Sequence, residues 1–141
     1  MIWFKKYDLN ELSTIADSTM VSHLAIEFVE IGDDYLSAKM PVDKRTIQPA
    51  GILHGGASVA LAETIGSVAS SLTINPEKYF CVGLEINANH IKSVKNGFVT
   101  GTGKPIHLGR STQIWEIKIV NDDAALIAIS RITLAILEKK L

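Results

Sequence analysis

Two stretches near the start of the chain alternate between apolar and polar residues, which is typical of strands with one buried face. They run from His23 to Ile31 and from Tyr35 to Val42, and Gly32-Asp33-Asp34 separates them. Because this triplet favours a turn, the two stretches predict a hairpin. A short helix is predicted before them over Leu9–Asp17, with Asp8 or Asn10 as its N-cap. The apolar residues that share a face are Leu24, Ile26 and Phe28 in the first stretch and Leu36, Ala38, Met40 and Val42 in the second.

The alternation stops in the middle of the chain. Residues Asp43–Gly56 contain one proline and three glycines and predict an irregular loop. Residues Ala57–Ile74 are rich in Ala and Leu and apolar on nearly all sides, so they predict a long, largely buried helix. Asn75-Pro76 would end this helix, since proline and the residue before it both disfavour helical structure.

Four further strands are predicted in the second half, and Asn96-Gly97 is a favoured hairpin turn among them. Together with the first hairpin they give six strands, which short turns would join into an antiparallel sheet. We therefore predict an α+β fold and a single domain over residues 1–141. The four strands are predicted over Tyr79–Ile91, Phe98–Pro105, Thr112–Val120 and Ala125–Leu137.

The long helix is the one element able to cover a face of this sheet. At about 1.5 Å per residue it would span roughly 27 Å, enough to cross six strands. Because its surface is apolar nearly all round, one sheet can bury only part of it. A second subunit or the short N-terminal helix must cover the rest.

Composition argues against several classes of partner. The formal net charge is −1 and only 6% of the residues are aromatic, which disfavours nucleic-acid binding. No stretch suits a membrane span and the start of the chain lacks a signal-peptide pattern, so we expect a cytoplasmic protein. The four histidines and the single cysteine lack metal-ligand spacing, so we expect no metal. Cys81, in an apolar run, is interpreted as a core residue rather than a nucleophile.

Glu63 is the strongest candidate for chemistry. It is the only Asp, Glu, Lys or Arg between Thr46 and Pro76, and a carboxylate is rare in an apolar helix without a partner. Burial would raise its pKa, which suits a general base or a nucleophile. The alternative is that Glu63 faces solvent or makes a structural hydrogen bond, and we favour the functional interpretation.

Residues around Glu63 could complete a site. Ser67 lies one turn further on the same helix face and could hold water or substrate, or simply bond to the preceding turn. Gly55 and Gly56 lie at the mouth of the helix, where free N–H groups can form an oxyanion hole. The alternative for the glycines is a plain N-terminal turn.

Two polar residues precede the glycines. His54 could be a base, a positioning donor or an ordinary loop residue, and Gln48 could polarise a carbonyl. A serine triad is not indicated, because no Gly-x-Ser-x-Gly elbow is present.

The segment Gln48–Thr64, Gln-Pro-Ala-Gly-Ile-Leu-His-Gly-Gly-Ala-Ser-Val-Ala-Leu-Ala-Glu-Thr, resembles the signature of hotdog-fold acyl-CoA thioesterases with a catalytic glutamate on the central helix. Met40–Asp43, Gly83–His90 and Pro105–Arg110 fit the same family, so the resemblance covers nearly the whole chain. It implies a six-stranded antiparallel sheet wrapped around one long central helix. It also implies hydrolysis of an aromatic or related acyl-CoA thioester to free acid and coenzyme A.

The resemblance implies a role for each candidate. Glu63 would attack the thioester carbon or activate the water that does, and the Gly55 N–H would bind the thioester oxygen. His54 and Gln48 would help hold the thioester and its leaving thiolate, and Ser67 would position water or the acyl group. The family's site lies at a dimer interface, so the resemblance implies a homodimer or homotetramer in which Glu63 and the other groups come from different subunits.

The resemblance also implies where coenzyme A binds as part of the substrate, with no further cofactor. The nucleotide would lie against two segments that contain Lys92 and Arg110, natural partners for phosphate, although both could be ordinary exposed cations. His90 would also lie near the acyl pocket. The residues implied in substrate and coenzyme A binding are Val82, His90, Ile91, Lys92, Ser93, His107, Leu108, Gly109, Arg110 and Ser111.

Three other functions stay open at this point. A thioesterase of this fold could act on acyl-carrier thioesters in proofreading, and a dehydratase of the same fold could act on a hydroxyacyl thioester. A non-catalytic acyl-CoA-binding module would keep the fold but would not need Glu63. Glu63 lies nine residues after His54, and the His-Gly-Gly turn precedes an Ala-rich helix. Because this arrangement fits hydrolysis better than dehydration, we favour the thioesterase.

Overall fold

The computed structural model describes residues 1–140, in which one long helix packs against one face of a six-stranded antiparallel sheet. The sheet order is β1-β2-β4-β5-β6-β3, so β1 and β3 form its two edges. The predicted α+β class and hotdog architecture are confirmed. The elements are α1 Leu9–Ala16, α2 Met20–His23, β1 Glu27–Ile31, β2 Leu36–Pro41, α3 Gly55–Leu72, β3 Tyr79–His90, β4 Phe98–Leu108, β5 Thr112–Asn121 and β6 Leu126–Glu138.

Close packing holds α3 against the centre of the sheet. Ile65 is fully buried and contacts β4 where that strand carries two glycines. A Cβ added to Gly101 or Gly103 would lie 2.6 or 2.8 Å from methyl carbons of Ile65, closer than real side chains allow. Burial of a side chain of this size contributes about 1.5–3 kcal/mol. The glycines therefore bring the helix close enough for the rest of α3 to be placed accurately.

The N-terminal region covers part of α3, as the long apolar helix required. Asp8 caps α1 by accepting a hydrogen bond from the Glu11 N–H at 3.0 Å. Leu12 on α1 is 1% exposed and lies with Thr64 and Val68 of α3 around a small apolar cavity. One flank of α3 is thus buried within the chain, while the flank beside β3 stays half-buried.

The structure corrects three sequence-based predictions. The hairpin expected at Asn96-Gly97 is wrong, because β3 pairs with β6 and β4 pairs with β2 and β5. Gly97 does adopt a left-handed φ of 76°, but the turn leads the chain across the sheet. The strand expected from His23 begins only at Glu27, since α2 occupies Met20–His23. The long helix begins two residues earlier than expected, at Gly55, and ends at Leu72.

β3 presents a long, unpaired and partly apolar edge. It has 12 residues, and Phe80, Val82 and Leu84 on it are 41%, 40% and 60% exposed. An exposed edge of this length normally pairs with another chain or carries residues that prevent pairing.

None of the helices in the described residues combines the length and the apolar character that crossing a bilayer requires.

Candidate active site

Glu63 lies in the cleft between α3 and the edge strand β3. Its carboxylate rests directly against the backbone of Gly83, since a Cβ on Gly83 would come within 2.8 Å of Glu63 Oε1. Leu84, the next residue, is the extra residue of a bulge, because the pairing of β3 with β6 shifts between Gly83 and Glu85. A glycine beside a bulge therefore makes room for the carboxylate at the sheet edge.

The Glu63 carboxylate has no protein partner in the described part of the chain. It forms none of the ion pairs or hydrogen bonds found among residues 1–140. The side chain is half-buried, and this burial raises its pKa above the ordinary value of 4.5. A partly desolvated, unpaired carboxylate beside open space is suited to accept a proton or attack a carbonyl carbon.

The N-terminal end of α3 supplies oriented donors. His54 is the N-cap of the helix, and its Nδ1 accepts a hydrogen bond from the Gly56 N–H at 2.8 Å. In a neutral imidazole this leaves the proton on Nε2, which becomes a donor. The Gly55 N–H is in the first position of the helix and has no acceptor within residues 1–140. It is free to bind an oxygen, with the helix dipole behind it.

Gln48 is held in the loop before the helix. The Gly51 N–H donates to the Gln48 carbonyl at 2.8 Å, and Gly51 has the φ of 78° that glycine readily adopts. The Gln48 side-chain Oε1 accepts a hydrogen bond from the Ala50 N–H. The amide NH₂ of Gln48 is therefore the end left free to donate.

Gln48 and Gly55 lie beside residues 90–93, the first of the two segments expected to bind coenzyme A. A cavity of about 310 Å³ is lined by Gln48, Gly55, Ser58, His90, Lys92 and Ser93, and Ile91 also borders it. His90 lies against the start of α3, because a Cβ on Gly55 would be 2.9 Å from its Nε2. Ser58 was not among the expected residues, and it is 2% exposed in this wall.

Ser67 is half-buried on the Glu63 side of α3. Its hydroxyl forms no hydrogen bond with any of residues 1–140, whereas its carbonyl accepts from the Ser71 hydroxyl at 3.0 Å and the Cys81 thiol at 3.5 Å. The hydroxyl is therefore not occupied by bonding to the preceding turn. Cys81 packs beside the core, in agreement with its interpretation as a core residue.

The second expected segment, His107–Ser111, lies elsewhere. It comprises the last two residues of β4 and the turn to β5, and Leu108, Gly109 and Arg110 border a different cavity at the C-terminal end of α3. Val82 projects from the exposed edge strand. Lys92 and Arg110, both exposed, thus lie near opposite ends of α3, and one chain does not bring them together.

One chain also keeps the carboxylate and the oxyanion donor apart. Glu63 follows Gly55 by eight residues on the same helix, a rise of about 12 Å. Gly83 was missed as the neighbour of Glu63, although a glycine inside a predicted strand is a known signal of close approach.

Among residues 1–140, no group of His, Cys, Asp and Glu is placed to hold a metal ion.

Comparison with known proteins identifies the family of this chain. The model of the thioesterase superfamily matches residues 50–128. The chain is 53% identical to the 1,4-dihydroxy-2-naphthoyl-CoA hydrolase of Escherichia coli, over 97% of this chain and 100% of that protein. It is 48% identical to a proofreading thioesterase of Cronobacter sakazakii, over 97% and 99% of the two chains.

A solved structure of similar fold points to the same class. A thioesterase from Pseudomonas aeruginosa, crystallised with one glutamine replaced by alanine, superposes with a TM-score of 0.97 and 43% identity, covering 99% of this chain and 100% of that one. The chain therefore belongs to the thioesterase superfamily, and the prediction of a thioester hydrolase is confirmed.

Proposed function

We propose that this protein hydrolyses an aromatic or related acyl-CoA thioester, with Glu63 as nucleophile or general base. The observation that carries the proposal is the unpaired, half-buried Glu63 carboxylate packed against Gly83. It is supported by the free N–H of Gly55 and by the His54 imidazole, whose Nδ1 accepts a hydrogen bond so that Nε2–H can donate. These groups provide the base, the oxyanion donor and the leaving-group donor that thioester hydrolysis requires.

The proposed reaction follows from these groups. As a general base, Glu63 takes a proton from water while the water oxygen attacks the thioester carbon. The Gly55 N–H and the helix dipole stabilise the negative charge on the carbonyl oxygen. The C–S bond then breaks, and His54 Nε2–H donates a hydrogen bond or the proton to the leaving thiolate. As a nucleophile, Glu63 would instead form an anhydride that water hydrolyses.

We also propose that the site is completed by a second copy of the chain. The exposed β3 edge would pair with β3 of the partner in antiparallel fashion. Glu63 lies at Gly83 and Gly55 lies at His90, so pairing Gly83 with the partner's His90 brings the partner's Gly55 to Glu63. Leaving out the bulge residue Leu84, this register places Asn87 opposite its own copy, as a twofold axis requires.

The same register accounts for the separation of the two coenzyme A segments. In this register the partner's chain continues from His90 alongside β3 in the direction of Tyr79. The partner's Lys92 would therefore approach the cavity that Tyr79 and Arg110 border. Lys92 and Arg110 would then serve one substrate molecule from two subunits. Two such dimers forming a homotetramer, and a location in the cytoplasm where coenzyme A thioesters are available, belong to this proposal.

The proposed substrate rests on the relatives. Because the E. coli relative is named for 1,4-dihydroxy-2-naphthoyl-CoA, we propose this thioester, an intermediate of menaquinone biosynthesis, as the leading candidate. The second candidate is proofreading of acyl groups on a carrier protein, favoured by the similarity to the Cronobacter enzyme.

A substrate panel tests the proposal. Release of free thiol is followed with aromatic acyl-CoA thioesters including 1,4-dihydroxy-2-naphthoyl-CoA, with aliphatic acyl-CoA thioesters, and with aromatic acyl-carrier thioesters. We expect the highest kcat/KM with the aromatic acyl-CoA group, by about tenfold or more, which is within the discrimination of an apolar pocket. Highest kcat/KM with carrier thioesters would favour proofreading, and preference for aliphatic thioesters would contradict the aromatic assignment.

A further inference from the structure

His90, the last residue of β3, carries an imidazole that lies against the start of α3. A Cβ added to Gly55 would come within 2.9 Å of Nε2 and 3.0 Å of Cε1 of this ring. The side chain is exposed, and it forms no hydrogen bond or ion pair with any of residues 1–140. The ring is therefore available to a group from outside its own chain.

The Glu63 carboxylate needs a hydrogen-bond donor that its own chain does not supply. It is half-buried and has no partner among the described residues, whereas buried polar groups are normally hydrogen-bonded. A carboxylate has two oxygens, and attack or proton transfer uses only one of them. A donor on the second oxygen would fix the orientation of the carboxylate and leave the first oxygen facing the substrate.

The proposed pairing of two β3 edges brings these two groups together. Gly83 and His90 both face α3, because the first contacts Glu63 and the second contacts Gly55. Residues directly opposite each other in an antiparallel sheet share a face, with Cβ atoms about 4.5–5.5 Å apart. An imidazole can cover this span. Pairing Gly83 with the partner's His90 therefore places that ring beside the Glu63 carboxylate.

We propose that His90 is a positioning residue, which donates an N–H hydrogen bond to the Glu63 carboxylate of the partner subunit. This inference rests on the proposed thioesterase function and on the shared site. It gives His90 a task that differs from the substrate contact implied by the resemblance. A hydrogen bond to a charged carboxylate is short and strong, so it would hold Glu63 against the thioester more firmly than packing on Gly83 alone.

The charges around the pair are few, which simplifies its test. Along α3, Glu63 is the sole Asp, Glu, Lys or Arg, and His54 caps the helix. Lys92 lines the same cavity as His90. From the neighbouring strand β6, apolar residues pair with both Gly83 and His90. No second carboxylate lines this cavity within the described part of the chain, so loss of the His90 donor should be felt at Glu63.

Two substitutions of His90 separate its N–H from its bulk. His90→Phe keeps a ring against Gly55 but has no donor, and His90→Gln keeps a side-chain N–H. We expect His90→Phe to lower kcat about tenfold to a hundredfold with KM changed less than about threefold. His90→Gln should retain kcat within about fivefold of the wild-type value. Equal losses of kcat in the two variants would overturn the inference.

Asn89→Ala is the matched control on the same strand. Asn89 is exposed and, as the neighbour of His90 in the strand, faces the opposite side of the sheet. Its substitution should leave kcat within about twofold of the wild-type value, since an exposed side chain away from the site contributes little. A loss as large as that of His90→Phe would show that any change at this end of β3 disturbs the site.

The pH profile of kcat/KM distinguishes orientation of Glu63 from simple packing. A donated hydrogen bond favours the charged carboxylate, whereas burial raises the pKa of Glu63. Removing the donor should raise this pKa further. Because Glu63 must be deprotonated to act, the acid limb of the profile should move to higher pH in His90→Phe and stay in place in Asn89→Ala. A wild-type acid limb in His90→Phe would contradict the proposal.

Two mixed dimers, purified through two different tags, show which subunit's His90 acts on Glu63. With His90→Phe on one chain and Glu63→Gln on the other, one site keeps both original groups, and about half the wild-type activity is expected. With both substitutions on one chain and a wild-type partner, neither site keeps both groups, and activity should fall at least tenfold. Equal activities, or the reverse order, would overturn the inference.

Glu63→Gln alone separates this inference from the proposed function, since it should abolish turnover. Full turnover in that variant would refute the proposed mechanism. Loss of turnover there, together with a wild-type kcat and acid limb in His90→Phe, would overturn the role of His90 alone. A crystal structure of the wild-type dimer tests the contact without any variant. We expect about 2.7–3.2 Å between a ring nitrogen of His90 and the carboxylate of the partner's Glu63, and a separation beyond about 4 Å would contradict it.

Discussion

Replacing Gly55 with proline would remove the proposed oxyanion donor while leaving the helix intact. Proline is favoured in the first helical position, because its missing N–H is unpaired there in any case. His54, with φ −70° and ψ 130°, already has the extended conformation that a residue before proline prefers. Loss of one such donor costs about 2.7–4 kcal/mol in the transition state, so kcat should fall about 10²–10³-fold.

Gly55→Ala is the matched control for this change. It adds the same Cβ, which would lie 2.9 Å from His90 Nε2, so both variants force His90 to move. Only the proline variant loses the N–H, and comparing the two isolates its contribution. The assay is thiol release from the best acyl-CoA substrate, with the melting temperature measured for each protein. Equal kcat values in two folded variants would refute the role of the Gly55 N–H.

Three further predictions follow from the site and its packing. A heterodimer of one Glu63→Gln chain and one Gly55→Pro chain, purified through two different tags, should retain about half the wild-type activity. One of its two shared sites then carries both changes, and the other keeps the original Glu63 and Gly55. An inactive heterodimer would show that each chain uses its own Glu63 together with its own Gly55. Glu63→Gln should raise the melting temperature at pH 7, since charging a partly buried carboxyl of raised pKa destabilises the fold. That gain should shrink as the pH falls through the raised pKa towards 4.5, and a pH-independent difference would argue against desolvation as its cause. Gly101→Ala should destabilise the protein by about 1–3 kcal/mol in urea unfolding, because its Cβ would lie 2.6 Å from Ile65 Cδ1; an unchanged midpoint would show that α3 can shift freely.

Local patterns were sufficient to predict most of the elements. The β1–β2 hairpin was predicted because its apolar residues alternate with polar ones. The long helix was predicted because its segment is rich in Ala and Leu and apolar on nearly all sides. The short helix Met20–His23 was missed because four residues give too little periodicity to detect. The crossing from β3 to β4 was missed for a different reason. Asn96-Gly97 supplies the left-handed turn geometry, but strand pairing depends on which faces are buried across the whole sheet.

The candidate site also has a part that local sequence could predict and a part that depends on how distant segments pack. Gln48, His54, Gly55 and Glu63 lie within one motif, so the sequence could place all four on one helix or in the loop directly before it. The contact of Glu63 with Gly83 depends on how α3 packs on β3, which no local pattern determines. The distance between the two segments expected to bind coenzyme A could not be foreseen either, because it depends on the position of β3 at the sheet edge.

The most direct test of the account is the turnover number of Glu63→Gln with the best acyl-CoA substrate. Glutamine keeps the size of the side chain and removes its ability to accept a proton or attack carbon. With KM little changed and the oligomer intact, we predict a fall in kcat of about 10³-fold or more. A kcat within a few fold of the wild-type value would show that Glu63 does not carry the hydrolysis.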